Sequence, residues 1–195
     1  MSEHLRRIVA PEPGDVWFFA YGSLMWDPGF AHVEVQAATL EGRHRAFCIY
    51  SHHHRGTSER PGLVLGLDAG GRCRANAFRF RPADRRQVVD YLDERELIGY
   101  AYRPAVLGID LEDGRHVAAY TFVADPTHPQ YAGRLPLDEA AALIMQAAGR
   151  SGLNRDYLVN TVRHLETLGL VEPELHALLE YVARATGELD QGAGI

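Results

Sequence analysis

Glu96 is the residue of this sequence best placed for proton chemistry. Val88, Leu92 and Glu96 recur at intervals of four within residues 83–96, a spacing that puts all three on one face of a predicted helix. The Glu96 carboxylate is therefore expected to point toward the core. Burial of a carboxylate raises its pKa toward neutrality, which suits a group that must both accept and return a proton.

The other acidic residues of this helix fall mostly off its apolar face and are expected to be solvated: Asp90, Asp93 and Glu94. A second interpretation of Glu96 stays open, because a residue near the helix end can reach solvent or pair with Arg95. The spacing alone does not decide between these two interpretations.

A second candidate is the turn Tyr21-Gly22-Ser23-Leu24, which follows the apolar segment 16–20. Glycine allows backbone N–H groups to approach an anionic or carbonyl oxygen closely, and hydroxyl groups add directed hydrogen bonds. Such a loop could hold a carboxylate. Glycine and serine also occur in turns for conformational reasons alone, and that alternative stays open.

Metal and cofactor chemistry find little support in the sequence. His52, His53 and His54 lie downstream of Cys48, but consecutive side chains of an extended segment point in opposite directions and cannot readily share one ion. The motifs GxGxxG, GxxxxGK[ST] and GxSxG do not occur, so the common nucleotide sites and the hydrolase serine lack support. We expect an enzyme without metal or cofactor.

Composition narrows the class of protein further. The chain has 195 residues, 46% of them hydrophobic and 24% charged, which is typical of one globular domain. Its net charge of −6 argues against binding to nucleic acid or to an anionic membrane. Two cysteines without a CxxC pair favour free thiols in a reducing compartment, so we expect a cytoplasmic protein with a small-molecule ligand.

The predicted elements form an α+β arrangement, with a barrel or sheet of about six strands and flanking helices. Residues 1–15 are expected to be a flexible leader, 16–187 a single domain and 188–195 a tail. Strands are predicted at 16–20, 33–40, 45–50, 63–67, 73–80, 105–111 and 116–122, with turns at Glu41-Gly42, Gly70-Gly71 and Gly114. Helices are predicted at 83–96, 137–148, 155–168 and 173–185, with Asn154 as the cap and Gly169 as the end of the helix at 155–168. The polar segment 51–61 is predicted to be a functional loop.

Two sequence blocks resemble the ChaC-type glutathione-specific γ-glutamylcyclotransferases: WFFAYGSLMW at residues 17–26 and YLDERE at residues 91–96. Further segments at 54–57 with 60–62, at 128–133 and at 151–158 are similar to bacterial members of that family. The resemblance implies a mixed β-barrel with flanking helices, glutathione as substrate and Glu96 as the catalytic acid/base. It also implies a substrate-binding segment formed by Phe18, Phe19, Ala20, Tyr21, Gly22, Ser23 and Leu24.

Two more residues are candidate substrate contacts. Tyr131 resembles a tyrosine that contacts substrate in the family, although a packing role is an equal alternative. Arg55 could pair with the glycine carboxylate of glutathione, and Arg45 or Arg60 could serve instead. The sequence departs from the family at Ala20, where many members have glycine, and at Leu153, where proline is frequent.

The implied reaction is intramolecular: the α-amine of the γ-glutamyl group attacks its own γ-carbonyl and releases 5-oxoproline and Cys-Gly. Three alternatives remain at this stage. They are a cyclotransferase for other γ-glutamyl amino acids or amines, a non-catalytic binding or regulatory module, and an amide hydrolase that would release glutamate. The sequence gives no oligomeric state.

Overall fold

The computed structural model describes residues 16–97 and 101–187. These residues divide into two compact units, which are treated separately below. The first unit holds the described parts of Met1–Arg45 and Leu67–His128, and the second holds Ala46–Gly66 and the described part of Pro129–Ile195. The leader predicted at 1–15 and the tail predicted at 188–195 lie outside the described residues, and the prediction of one domain over 16–187 stays a prediction.

Five strands form a closed barrel in the order β1-β3-β2-β4-β5. They are β1 (Val16–Ala20), β2 (Glu34–Ser51), β3 (Gly62–Phe80), β4 (Tyr102–Leu111) and β5 (His116–Ala124). The short β1 is antiparallel to β3, with Phe18 opposite Phe78, and parallel to β5, with Phe18 opposite Tyr120. This pairing of β1 on both sides closes the barrel, and the five-stranded barrel confirms the prediction of a barrel of about six strands.

Two turns that the sequence predicts between strands, at Glu41-Gly42 and at Gly70-Gly71, do not interrupt the strands, and these two predictions are wrong. Residues 34–40 and 45–50 belong to the single strand β2, and the predicted hairpin turn at Gly70-Gly71 lies inside the single strand β3. The contacts Val33 N–Arg79 O at 2.8 Å and His44 Nδ1–Gly70 O at 3.0 Å run in opposite chain directions, as an antiparallel pair requires. Gly42, Gly70 and Gly71 adopt positive φ, which lets these long strands bend without ending.

The first unit also contains the predicted helix, α1 (Arg85–Glu96), which follows a 3₁₀ turn at Pro82–Asp84. Val88, Val89 and Leu92 are buried on its inner face, as the fourfold spacing predicts. Phe18, Phe19, Phe80 and Phe122 are almost fully buried in the barrel. The β4–β5 hairpin turns at Gly114, whose φ is 89°, as predicted.

The second unit contains three helices: α2 (Leu137–Gln146), α3 (Asn154–Thr167) and α4 (Pro173–Ala185). Their apolar stripes pack on one another, with Ile144, Leu158, Val162 and Leu165 almost fully buried. Two short strands, β6 (Ala148–Gly149) and β7 (Gly152–Leu153), form a tight hairpin between α2 and α3. All three helices confirm the sequence prediction to within two residues at each end.

The predicted cap of α3 is wrong, whereas its predicted end is confirmed. Asn154 is the first helical residue, and its side-chain amide is fully buried in hydrogen bonds to both backbone groups of Leu63, each 2.7 Å long. At the other end Gly169 has a φ of 69°, and its N–H donates to Glu166 O while Leu170 N–H donates to Leu165 O. This pair of hydrogen bonds is a Schellman motif, which satisfies the last carbonyls of a helix.

Both cysteines of the chain are free and buried. Cys48 and Cys73 each have an exposed fraction of 0%. The four α-helices of the described residues include none that is long and apolar enough to cross a membrane.

Candidate active site

Glu96 is the last residue of α1 and lies on the buried face of that helix. Leu92, one turn earlier, is fully buried, and the Glu96 side chain retains an exposed fraction of only 23%. Burial raises the pKa of the Glu96 carboxyl above its usual range, and the adjacent Arg95 guanidinium opposes part of that rise. The carboxyl thus has the environment that a proton-transfer group requires.

The resemblance places its substrate-binding segment at the end of β1. Phe18, Phe19 and Ala20 are strand residues whose side chains are buried and whose backbones pair with β3. Thr121 Oγ1 also donates to Phe19 O over 2.8 Å. These three residues are therefore buried and paired within the barrel, and their contact with substrate stays a prediction.

The chain leaves the sheet at Tyr21 and forms a loop, residues 21–27, that contains a 3₁₀ turn at Ser23–Met25. Met25 N–H donates to Gly22 O over 2.9 Å, and Asp27 N–H donates to Ser23 O over 3.0 Å. Within the described residues the N–H groups of Gly22, Ser23 and Leu24 donate to no acceptor. Three adjacent donors of this kind can bind a carboxylate or a developing oxyanion.

Arg45 supports this loop from the barrel. Its guanidinium is buried, with an exposed fraction of 3%. It donates to Tyr21 O over 2.5 Å and to Arg74 O over 2.9 Å, and it contacts Met25 Sδ at 3.6 Å. The sequence suggested Arg45 as one possible partner of a substrate carboxylate, whereas in the structure it donates to backbone carbonyls of the loop and of β3.

Arg95 joins the loop to α1 from the other direction. Its Nη2 donates to Ser23 Oγ over 3.2 Å, and its Nη1 donates to Asp27 O over 3.0 Å and to Tyr91 Oη over 2.8 Å. Its Nε lies 3.6 Å from Glu96 Oε1. The candidate base and the candidate binding loop are therefore linked through one guanidinium.

Tyr91 of α1 contacts the residues that follow the loop, Gly29 and Phe30. A methyl group placed on Gly29 would lie 2.0 Å from Tyr91 Oη, so only glycine fits there, and Gly29 has a φ of 71°. Phe30 follows and packs edge-on against the Tyr91 ring with centroids 6.5 Å apart. Residues 23–30 are thus held against one face of α1.

Asp93 corrects a sequence prediction. It was expected to be solvated, but its Oδ1 accepts a 2.6 Å hydrogen bond from Tyr120 Oη of β5. Its Oδ2 is buried and has no hydrogen-bond partner within the part of the chain that the structure describes. Burial raises the pKa of the Asp93 carboxyl, and the Tyr120 hydroxyl opposes that rise. No sequence signal predicts this pair, because 27 residues separate its members.

The other two candidate site residues belong to the second unit. Arg55 lies in the loop between β2 and β3, where its Nη1 donates to Leu153 O over 3.2 Å and its guanidinium lies 5.1 Å from the centroid of the Tyr157 ring. Tyr131 is half-buried and pairs through its backbone with Ile49. Their proposed contacts with substrate stay predictions.

The predicted functional loop 51–61 connects β2 and β3 in this unit. A methyl group on Gly149 would lie 2.6 Å from both Gly56 N and His53 O, so the β6–β7 hairpin packs directly on the loop backbone. His54 Nδ1 lies 3.1 Å from Ser151 Oγ. Over residues 16–97 and 101–187 no three His, Cys, Asp or Glu side chains are grouped as metal ligands would be.

Comparison with solved structures identifies the fold. A crystal structure described as a γ-glutamyl cyclotransferase specific to glutathione from yeast matches with a TM-score of 0.78 at 22% sequence identity, covering 88% of this chain and 99% of that one. At this identity the likeness defines the fold alone. The barrel with its flanking helices is therefore the γ-glutamylcyclotransferase fold.

Sequence comparison identifies the family. The model of the ChaC-like protein family matches residues 16–185. The glutathione-specific γ-glutamylcyclotransferase of Escherichia coli is 39% identical over 178 residues, 91% of this chain and 77% of that protein. The glutathione-specific γ-glutamylcyclotransferase 1 of Mus musculus is 30% identical over 182 residues, 91% of this chain and 81% of that protein. The chain belongs to the ChaC-like protein family.

Proposed function

We propose that this protein is a glutathione-specific γ-glutamylcyclotransferase that converts glutathione to 5-oxoproline and Cys-Gly, with Glu96 as its acid/base. The observation that carries the proposal is the buried Glu96 carboxyl, joined through Arg95 to the 21–27 loop. The activity named for the relatives from E. coli and mouse supports the substrate. The two buried, free cysteines support a cytoplasmic location.

The first step is activation of the nucleophile. The α-amine of glutathione is protonated at neutral pH and must lose a proton before it can attack. Glu96 accepts that proton, and the pKa that burial has raised makes its carboxylate a stronger base than an exposed glutamate. The neutral amine then attacks the γ-carbonyl carbon and closes a five-membered ring.

The 21–27 loop supplies position and charge stabilisation. The N–H groups of Gly22, Ser23 and Leu24 bind the glutamyl end and hold the amine close to the carbonyl, a geometry that the free substrate rarely adopts. The same donors can stabilise the negative charge that develops on the carbonyl oxygen. Phe18, Phe19 and Ala20, whose backbones pair with β3, contribute by fixing the start of this loop.

Collapse of the tetrahedral intermediate breaks the γ-amide bond. Protonated Glu96 delivers its proton to the departing nitrogen, and the regenerated carboxylate takes the excess proton from the ring nitrogen and passes it to the released amine. Cys-Gly therefore leaves as an ammonium ion, and 5-oxoproline retains the carbonyl and a neutral ring N–H. One carboxyl thus serves as base and then as acid. The reaction consumes no water, which distinguishes it from amide hydrolysis.

We further propose Arg55 and Tyr131 as contacts for the Cys-Gly portion. Arg55 supports this role because its planar guanidinium is held at one nitrogen by Leu153 O and stacked on Tyr157, which fixes its direction. Arg55→Met and Tyr131→Phe should raise the KM for glutathione with little change in kcat, because they remove contacts that substrate and transition state share. A large fall in kcat at unchanged KM would contradict this role.

The test is incubation of the protein with glutathione, with 5-oxoproline, Cys-Gly and glutamate quantified by mass spectrometry. Glu96→Gln should lower kcat by about 10²- to 10⁴-fold. Glu94→Gln, an exposed carboxylate of the same helix, is the matched control and should retain activity. Free glutamate as the product would favour a hydrolase, and turnover of γ-glutamyl-alanine without glutathione turnover would favour another γ-glutamyl substrate.

A further inference from the structure

We infer that Arg95 is a positioning residue that holds the substrate-binding loop and the catalytic carboxyl in one fixed arrangement. The inference rests on the proposed function, since it assigns a role within the same site. This role requires no contact between Arg95 and the substrate. Arg95 acts through the two groups that contact the substrate.

The donor geometry of Arg95 allows one side chain to contact both the loop and the helix. A guanidinium has five N–H donors in a rigid planar fork. In Arg95 the Nη1 side serves Tyr91 Oη and Asp27 O, the Nη2 side serves Ser23 Oγ, and Nε faces Glu96. All three nitrogens therefore have partners, on both the loop and the helix.

Arg95 contacts positions of the 21–27 loop that no other side chain described above holds. Arg45 holds the beginning of the loop at Tyr21 O, and Asn76 Nδ2 donates to Met25 O over 3.3 Å. Neither of these contacts involves Ser23 or Asp27, which are the two loop positions that Arg95 contacts. Loss of Arg95 would therefore release the side of the loop that faces Glu96, while the side on the barrel stays attached.

The sequence order makes this arrangement possible. Tyr91 and Arg95 are four residues apart and share one helical face, while Leu92 and Glu96 are four apart on the neighbouring face. One face of α1 thus holds the loop and the next presents the carboxyl to the interior. A single helix sets the distance between the two parts of the site.

The kinetic test compares Arg95→Met, Arg95→Lys and the control Arg86→Met, an arginine of the same helix with an exposed fraction of 87%. Arg95→Met should lower kcat/KM by about 10- to 100-fold, mainly through KM, because charged hydrogen bonds to the loop are lost. Arg95→Lys keeps a charge beside Glu96 but cannot reach Ser23 and Asp27 together. It should keep kcat equal to that of the unaltered protein and leave KM raised, and Arg86→Met should match the unaltered protein in both constants.

A double-mutant cycle measures the coupling directly. Ser23→Ala alone should raise KM several-fold, since it frees Arg95 Nη2 and loosens the loop. In the Arg95→Met background the same substitution should have little further effect, because the contact is already absent. Effects of the two substitutions that simply multiply would overturn the inference.

Amide hydrogen exchange supplies a readout that needs no turnover. Arg95→Met and Arg95→Lys should both accelerate exchange at the hydrogen-bonded amides of residues 25–27 by about tenfold or more and leave the amides of Val16–Ala20 unchanged. If the unaltered protein fails to convert any γ-glutamyl compound, the proposed function is wrong, and exchange alone then decides the role of Arg95. Exchange at residues 25–27 that equals that of the unaltered protein would overturn it.

Discussion

At the scale of single residues, Glu96 combines two properties that oppose each other. Its carboxyl lies on a buried helical face beside Leu92, and burial raises its pKa. The same burial that prepares it for proton transfer penalises its charged form in the folded protein. The site residue should therefore reduce stability at the pH at which it works.

The cost of burying the charged Glu96 carboxylate predicts how the substitution Glu96→Gln changes the free energy of unfolding. Because the folded pKa of Glu96 lies above the unfolded value of about 4.3, its contribution to stability is present below that value and is lost as pH rises through the folded pKa. Glu96→Gln carries no charge, so it should be more stable than the unaltered protein at neutral pH. The difference should shrink toward zero as pH falls below about 4.

Urea unfolding across this pH range measures the effect. Glu94→Gln serves again as control and should give no comparable pH-dependent gain. A Glu96→Gln variant less stable than the unaltered protein at neutral pH would show that the ion pair with Arg95, 3.6 Å away, outweighs the cost of burial.

At the scale of elements, α1 is attached to the barrel by the hydrogen bond between Tyr120 of β5 and Asp93. Tyr120→Phe removes the only hydroxyl of that side chain and leaves a buried carboxyl without its donor. The free energy of unfolding should fall by about 1–3 kcal/mol. The loss should grow as pH rises, because the ionised carboxylate needs the donor more than the neutral acid does.

The matched control is Tyr181→Phe on α4, where the side chain is 40% exposed. It should change the unfolding free energy by less than about 0.5 kcal/mol. Equal stability losses for the two variants, or a Tyr120→Phe loss that does not vary with pH, would contradict the assigned role of the pair.

In the second unit, Asn154 joins the start of α3 to β3 through both backbone groups of Leu63. Asn154→Leu keeps a similar volume but leaves the N–H and C=O of Leu63 buried and unpaired. Each unpaired group costs about 1–3 kcal/mol, so a total loss of about 2–5 kcal/mol is expected in thermal or urea unfolding. Asn160→Leu, an exposed asparagine of the same helix, should lose far less, and equal losses would contradict the prediction.

Elements with strong local periodicity were predictable from the sequence, and contacts between distant residues were not. The fourfold spacing of Val88, Leu92 and Glu96 identified both the helix and the buried carboxyl. Gly70-Gly71 has the same local signature in a hairpin turn and in a bent long strand, because positive φ is required in both. The residue whose contact shows that Gly70 lies in a strand is His44, which is 26 residues away in the sequence.

The candidate site shows the same division. Glu96 and the Tyr-Gly-Ser turn were visible as local patterns, but the links between them depend on tertiary structure. Arg95 appeared only as a possible ion-pair partner of its neighbour, since its contacts with Ser23 and Asp27 span 72 and 68 residues. Asn154 looked like a helix cap for the same reason, because residue type indicates a hydrogen-bonding preference but not the partner.

At the scale of the whole molecule, the two strands β2 and β3 each contribute residues to both compact units. A strand is cooperative along its length, so we expect the units to unfold in one transition. The unfolding of each unit has its own spectroscopic signal. Tryptophan fluorescence reports on the first unit, because Trp17 and Trp26, the two tryptophans of the chain, belong to it. Three of the four described α-helices belong to the second.

Urea unfolding followed by tryptophan fluorescence and by far-UV circular dichroism should give superimposable curves. Asn154→Leu, a change in the second unit, should shift both curves by the same amount. Separate midpoints would show that the units unfold independently, and the prediction of a single domain over residues 16–187 would then be wrong.

The burial of Cys48 and Cys73 has a chemical consequence for an enzyme that meets a thiol compound. Exchange between a thiol and a disulfide requires an accessible sulfur, and neither cysteine has any exposed surface. The folded protein should therefore resist mixed-disulfide formation with oxidised glutathione and retain activity as the cellular thiol pool becomes oxidised. A protein that consumes the reductant of its compartment would remain active under the oxidative conditions that such consumption promotes.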